Sequence, residues 1–304
     1  MNRFIWLIRR EIWEHKAIWI APSVVIACLV LLVITGNVHL GPIGAGDGNA
    51  TFGAFPPEVQ QKLLLIAYAG LALVVDMVMG IIAFFYALDS LYADRRDRSV
   101  LFWKSLPLSD SETVLSKFAV AAVVIPLVSL LGAFVAQFVV AAGGSAKLAM
   151  SGLSAGIMWQ PEAILGGMTV AFLWCVTAIL WYAPIIAYLM LASAWAPKGP
   201  FLWAVLPPVA ILLLERVVLY TQYVGDFIAG RLFGLYKLLG SREESASAIS
   251  GPENGSTVTK LSNIDLVGSL KEFYSSPDLW LGVVAAGLLL AAAMWVRRYR
   301  DETS

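Results

Sequence analysis

Long apolar runs are the feature that most constrains the fold of this 304-residue chain. About 20 consecutive apolar residues cross the hydrocarbon core of a bilayer as one helix, since a helix satisfies its own backbone polar groups. Only 14% of the residues are charged, against about 25% in a soluble domain. The pattern predicts an all-α polytopic membrane protein with six spanning helices, at residues 17–36, 63–88, 114–142, 163–194, 201–220 and 279–296.

Basic residues mark one side of the membrane. They concentrate before the first span, between the second and third, and after the last: Arg3, Arg9, Arg10, Lys16, Arg95, Arg96, Arg98, Lys104, Lys117, Arg297, Arg298 and Arg300. The positive-inside rule therefore places both termini and the loop 89–113 in the cytoplasm.

The segments on the other side of the membrane are predicted to be outer loops. Residues 37–62 and 143–162 are rich in Gly and Pro or other small residues, and residues 221–278 form the largest outer loop, with two short helices expected on the membrane rim. None of these segments can bury a core of its own. Residues 1–304 are therefore treated as a single transmembrane domain.

Residues 1–16 are predicted to contain a helix that lies in the cytoplasmic membrane interface. Phe4, Ile5, Ile8 and Ile12 share one helical face, and Arg3, Arg10 and Glu14 lie on the opposite one. Trp6 and Trp13 stack at the flank, and Arg9 is a further basic residue of the helix. Such a helix serves as an anchor, as a mechanical lever, or as both. The sequence leaves these roles open.

The loop 89–113 combines charge with apolar surface. Asp94, Arg95, Arg96, Asp97 and Arg98 are followed by Val-Leu-Phe-Trp and then by Leu-Pro. The pair Ser109 and Glu112 has the spacing of a capping box, which predicts the start of the third span. An aromatic cluster rimmed with charge is typical of a contact site. In the alternative interpretation, Phe102 and Trp103 dip into the membrane interface.

Two polar residues fall inside predicted spans. Asp76 lies in LALVVDMVMGII, and a charge at mid-bilayer costs about 2.5–3.5 kcal/mol on insertion scales, so such a residue usually faces a bundle interior or a wet cavity. Asp76 belongs either to a translocation path, proton relay or subunit interface, or to a hydrogen bond that holds helices together. Gln137 is a second candidate for the same reason.

Motifs for catalysis are weak or missing in the sequence. Residues 152–156 read Gly-Leu-Ser-Ala-Gly, but a nucleophile elbow needs a strand–turn–helix setting and a histidine base, and the chain has only two histidines. No cluster shows metal-ligand spacing, and no P-loop motif occurs. We therefore expect a chain that is not itself an enzyme.

The loop and the topology together resemble the permease subunits of type-2 ATP-binding-cassette (ABC) exporters. In that family the loop after the second span carries an acidic residue followed by Leu-x-x-Leu-x-x-(Thr/Ser)-Pro-Val-Ser. Asp97 and the run Lys104-Ser-Leu-Pro-Leu-Ser109 resemble this pattern, whereas Ser99-Val100 replaces the usual Gly-Thr. The resemblance implies a cytoplasmic coupling helix, which docks on an ATPase, within the loop 89–113.

The resemblance also implies partners and a location. It implies two separate P-loop ATPase subunits that bind ATP and Mg²⁺, a second permease copy or a paralogue, and the inner membrane of a bacterium. It implies no cofactor on this chain, and no nucleic-acid partner is expected. The residues that it assigns to ATPase coupling are Asp94, Arg95, Arg96, Asp97, Arg98, Leu101, Phe102, Trp103, Lys104, Leu106 and Pro107.

Other classes of membrane protein remain as alternatives. A single-chain secondary transporter or channel would have no ATPase partner, but intramembrane polar groups are few and repeat-related broken helices are not evident. An intramembrane enzyme or an immunity-type membrane protein is a further alternative, and the missing histidine and metal motifs argue against the enzyme. Co-purification of a P-loop ATPase separates these classes.

Overall fold

The computed structural model describes residues 3–35, 57–97, 109–150, 152, 154–235 and 266–300. The regular elements among these residues are helices, which confirms the all-α fold class. In chain order they are α1 (Arg3–Glu14), α2 (Ala17–Thr35), α3 (Pro57–Arg96), α4 (Asp110–Ala119), α5 (Ile125–Met150), α6 (Pro161–Trp195), α7 (Pro200–Leu214), α8 (Tyr223–Phe233), α9 (Leu266–Ser275) and α10 (Pro277–Arg300). A π-helical turn, Val120–Val124, joins α4 to α5, and a second, Glu215–Leu219, follows α7.

Six helical stretches in the described part of the chain are long and apolar enough to cross a membrane, as the sequence predicts. They are Ala17–Thr35, Gln60–Arg96, Asp110–Met150, Ala155–Trp195, Pro200–Leu219 and Pro277–Tyr299. Several exceed the length that a bilayer requires. The 40 residues of α3 span about 60 Å at about 1.5 Å per residue, so this helix continues beyond the hydrocarbon core.

The interpretation of residues 143–162 as a loop was partly wrong. Helix α5 continues to Met150, and Ala155–Trp159 forms a 3₁₀ turn. Gly143 and Gly144 do not end the helix. Both stand where another element packs closely against α5: Gly143 faces Val33, and a Cβ on Gly144 would lie 3.4 Å from the sulfur of Met158. These glycines allow α2 and the 3₁₀ turn to pack against α5.

The main core lies towards the end of the bundle that carries α1, called the α1 end below. Ile18, Met79, Ile125 and Met190 come from α2, α3, α5 and α6, and each is at most 1% exposed. Large apolar side chains on the outside of the helices, such as Met77, are exposed. This arrangement fits a protein whose surroundings are apolar.

The two short helices expected before the last span pack against the middle part of α6. Trp181 of α6, Leu235 after α8 and Leu279 at the start of α10 form a buried cluster there. The indole N–H of Trp181 donates a hydrogen bond to the carbonyl oxygen of Arg231 at 2.8 Å, which fixes α8 against α6.

Candidate functional site

Four buried charged side chains meet at the α1 end, each from a different helix. Glu11 of α1, Asp94 of α3, Lys117 of α4 and Arg297 of α10 are between 2% and 6% exposed. Lys117 Nζ lies 3.0 Å from Glu11 Oε1 and 3.4 Å from Asp94 Oδ1. Arg297 Nη1 lies 3.0 Å from Asp94 Oδ2. We call this group of four residues the ionic cluster.

Three further side chains border the ionic cluster. Arg297 Nε donates to Asp110 Oδ1 at 3.3 Å, and the hydroxyl of Tyr86 donates to Glu11 Oε2 at 3.0 Å. His15 Nε2 lies 3.7 Å from Glu11 Oε2, and its ring stands edge-on to Tyr86. Every charged group of the cluster therefore has an oppositely charged or hydrogen-bonding neighbour.

The energetics of the ionic cluster follow from its burial. Removing a charge from water costs several kcal/mol, and close partners with good geometry are needed to offset that cost. Loss of one partner from a buried pair costs about 3–5 kcal/mol, because the remaining charge is left uncompensated. The cluster is thus a poor source of net stability but a strict constraint on how the four helices meet.

The local sequence explains how these side chains reach the same place. Ser109 and Glu112 form the predicted capping box, in which the Ser109 hydroxyl accepts from the Glu112 amide and the Glu112 carboxylate accepts from the Ser109 amide. This cap fixes the start of α4, and Lys117 lies on the buried face two turns later. On α1, Glu11 follows Leu7 by one turn, and both are buried.

The loop 89–113 is described up to Asp97 and again from Ser109. Arg95 is directed inward, and its Nη2 donates to the carbonyl oxygens of Ser193 at 2.6 Å and Ala196 at 3.0 Å. Arg96 and Asp97 are exposed and 3.0 Å apart. The remaining residues assigned to ATPase coupling lie outside the described residues: Arg98, Leu101, Phe102, Trp103, Lys104, Leu106 and Pro107.

Helix α1 has two distinct faces. Leu7 and Glu11 are buried against the bundle, whereas Trp6 and Trp13 are 47% and 63% exposed. The guanidinium of Arg9 stacks on both indole rings, 5.3 Å from the centroid of Trp6 and 4.6 Å from that of Trp13. Arg10 forms an i,i+4 ion pair with Glu14 on the surface. The exposed face thus combines aromatic rings with a cation.

The two polar residues predicted within spans do not contact each other. The hydroxyl of Ser129 on α5 donates to Asp76 on α3. Gln137 is 2% exposed, and its Nε2 donates to the carbonyl oxygen of Tyr68 at 3.3 Å. Each side chain therefore joins α3 to α5 at a different level of the bundle.

A cation is also buried where α8 packs on α6. Arg231 of α8 is 7% exposed, lies over the ring of Trp181 at 4.2 Å, and donates through Nη2 to the carbonyl oxygen of Asp278. Its Nη1 has no hydrogen-bond partner among the described residues. Burial lowers the pKa of this guanidinium, and the nearby charge of Asp278 opposes that shift.

The sequence interpretation missed Glu11, Tyr86 and Arg297 as members of one site. Glu11 was the most accessible signal, because it stands one turn after the apolar Leu7 and therefore shares its side of α1. Arg297 was counted only for membrane orientation. Nothing in the sequence shows that it meets Asp94, 203 residues away along the chain.

The ionic cluster consists of ion pairs between helices. No group of three or more His, Cys, Asp and Glu side chains that could hold a metal ion occurs among the described residues. The ionic cluster instead links the amino-terminal helix, both flanks of the loop 98–108 and the last span.

Comparison with known proteins supports the family suggested by the sequence. The model of the family described as ABC-2 family transporter protein matches residues 61–182, a region that runs from α3 through the loop into α6. No curated protein matches the chain. The similarity indicates the membrane-spanning permease component of an ABC transporter. Over residues 61–182, less than half of its length, the chain is thus similar to ABC-2 family transporter proteins, in agreement with the family suggested by the loop and the topology.

Proposed function

We propose that this chain is the permease subunit of an ABC exporter in the inner membrane of a bacterium, driven by two separate ATPase subunits that bind ATP and Mg²⁺. A second permease copy or a paralogue completes the complex. Both termini and the loop 89–113 are cytoplasmic in this proposal, since the basic residues gather at the α1 end. The family match and the six apolar helices support the assignment.

The observation that carries the proposal is the position of the ionic cluster at the base of the loop. Asp94 lies at the end of α3 and Lys117 near the start of α4, so the loop between them is held at both ends. The same two residues bind Arg297 of the last span and Glu11 of α1. A displacement of the loop by an ATPase would therefore act on both helices at once.

The residues assigned to coupling have two different roles in this proposal. Asp94 and Arg95 are positioning residues, because both are engaged with the bundle. Arg96 and Asp97 are exposed, and with Arg98, Leu101, Phe102, Trp103, Lys104, Leu106 and Pro107 they form the proposed docking segment. Charged and aromatic groups together suit recognition of a protein surface.

Helix α1 is proposed to lie along the cytoplasmic surface of the membrane, close to the ATPase. Its exposed Trp6, Arg9 and Trp13 suit the headgroup region, where aromatic rings and cations are favoured. Its buried Glu11 connects it to the ionic cluster. The helix then acts as anchor and lever together.

The proposed translocation path includes Asp76 and Gln137. The Asp76 side chain is partly exposed on the surface of α3, so it can contact a substrate in a neighbouring translocation path. Gln137 retains a buried carbonyl oxygen without a partner among the described residues. That oxygen is available to a new donor if the helices rearrange.

Co-purification tests the proposal. The tagged full-length chain, extracted from its native membrane, is expected to bring down a soluble ATPase with a P-loop. Trp103→Ala, or the exchange of Arg96 and Asp97 for residues of opposite charge, should preserve membrane insertion and reduce both ATPase binding and transport. Arg298→Glu, an exposed residue of α10 at the same end, is the matched control. A native complex without an ATPase would favour a secondary transporter or channel.

A further inference from the structure

Asp76 is the one carboxylate in the central part of a predicted span. The proposed coupling of the loop 89–113 to an ATPase does not involve it. Asp76 stands at the middle of the predicted apolar stretch 63–88. Ser129, which donates to it, stands near the middle of the stretch 114–142. The pair therefore lies close to the centre of the bilayer, where an uncompensated charge is costly.

The carboxyl group lies at the boundary between packed and open surface of α3. Val75 is fully buried, whereas Met77 is 68% exposed. Asp76 is partly exposed, and Gly80, one turn along the same face, is exposed with open space around its Cα. An approaching group can therefore reach the carboxyl from the side of Gly80.

The predicted spans supply no cation beside Asp76. The six predicted spans contain only two basic residues, Lys117 and Arg216. Lys117 belongs to the ionic cluster, and Arg216 follows α7 near the far end of the fifth span. No ion pair to Asp76 occurs within the described ranges.

We propose that Asp76, beside the open surface at Gly80, binds the positive charge of a lipophilic organic cation, so that the substrates of this permease are amphipathic amines or quaternary ammonium or phosphonium compounds. A cation in a low-dielectric site offsets the cost of a carboxylate there. The apolar body of such a compound suits the surrounding apolar helices. That the bound cation is transported rests on the proposed permease function; the binding itself does not.

A matched pair of probes tests the site. Tetraphenylphosphonium and tetraphenylborate have nearly the same shape and apolar surface but opposite charge. Equilibrium dialysis measures the binding of each to the full-length chain in phosphatidylcholine nanodiscs, with empty nanodiscs subtracted. We expect saturable binding of the phosphonium only. Asp76→Asn should weaken it by at least tenfold, which corresponds to about 1.4 kcal/mol. Ser129→Ala keeps the carboxylate and should weaken it by a smaller factor.

A steric variant tests the same site with Asp76 intact. Gly80→Leu adds a side chain into open space, so it should leave the fold unchanged and obstruct the approach to Asp76. Gly287→Leu on α10 is the matched control, since Gly287 is also exposed with open space around it. We expect Gly80→Leu to reduce phosphonium binding and Gly287→Leu to leave it unchanged.

The outcomes separate the proposal from its alternatives. Equal phosphonium binding by the wild type and Asp76→Asn would overturn it and leave Asp76 as a hydrogen-bonding group between α3 and α5. If Gly80→Leu abolishes binding only by dissociating a dimer, as light scattering would show, the face is a subunit interface and the proposal is also overturned. The assay needs no ATPase, so its failure is distinct from failure of the co-purification experiment.

Discussion

Two regions of the helical bundle bury charge in different ways. At the α1 end, Lys117 and Arg297 are surrounded by carboxylates from three helices, at 3.0–3.4 Å. Where α8 packs on α6, Arg231 has the face of Trp181 and a backbone carbonyl oxygen, with no carboxylate within ion-pair distance among the described residues. The first region is an interdependent set of ion pairs, and the second is a single packed cation.

This difference indicates which region transmits a force and which region only packs. Buried ion pairs depend on every partner, so a movement of one helix is opposed by the others until all of them rearrange. A cation on an aromatic ring contributes about 2 kcal/mol when desolvated and tolerates small displacements. The α1 end therefore suits coupling to a loop, and the Arg231 region suits the anchoring of α8 and α9.

The largest effect is expected from Lys117→Met. The variant leaves Glu11 and Asp94 without their shared cation, and the free energy of unfolding should fall by about 3–5 kcal/mol. The measurement is the apparent melting temperature of the purified chain in detergent. Lys16→Met, at an exposed position beside α1, is the control. Equal melting temperatures for the two variants would show that the ionic cluster does not constrain the helices.

A double-mutant cycle on Asp94 and Arg297 sharpens the comparison. Each single change, Asp94→Asn or Arg297→Met, leaves the remaining buried charge with one ionic partner fewer, whereas the double variant removes both partners of the 3.0 Å pair. Residues in contact within one network usually show interaction energies of about 0.5–3 kcal/mol. We expect the double variant to be more stable than the sum of the single effects predicts. Strict additivity in thermal denaturation would contradict a direct interaction.

Where α8 packs on α6, Arg231→Leu should have a smaller effect, a loss of about 1–2 kcal/mol in the free energy of unfolding, because stacking is lost and no carboxylate is left behind. Arg231→Lys separates charge from stacking, since lysine lacks the planar group that covers the ring. Limited proteolysis between α8 and α9 measures the docking of these helices. A loss as large as that of Lys117→Met would show that Arg231 has an ionic partner outside the described residues.

Much of the fold could be predicted from the sequence, because hydrophobicity is local information. The number of spans follows from apolar runs, and the capping box of Ser109 and Glu112 follows from spacing alone. The lengths of the helices were less accessible. Gly143 and Gly144 favour a loop by composition, but close packing against Val33 and Met158 retains them in α5.

The ionic cluster was harder to predict, since its members are far apart in the chain. Lys117 and Asp94 were each noticed for their position near the loop. Their shared contacts with Glu11 and Arg297 depend on how the first and last spans pack, and the sequence contains no local signal for that packing. The part of the loop with the most informative sequence, from Arg98 to Leu108, lies outside the described residues.

The smallest effect is expected from Arg9→Gln on the exposed face of α1. Arg9 stacks on Trp6 and Trp13, and an exposed cation–π contact contributes about 0.5–1 kcal/mol. Glu11→Gln, two residues away on the buried face, should cost several times more because it leaves Lys117 with one carboxylate fewer. The two variants thus compare a stacked cation with a buried ion pair within the same helix. If Arg9→Gln lowers the apparent melting temperature as much as Glu11→Gln does, the exposed face of α1 is as important to its docking as the ionic cluster.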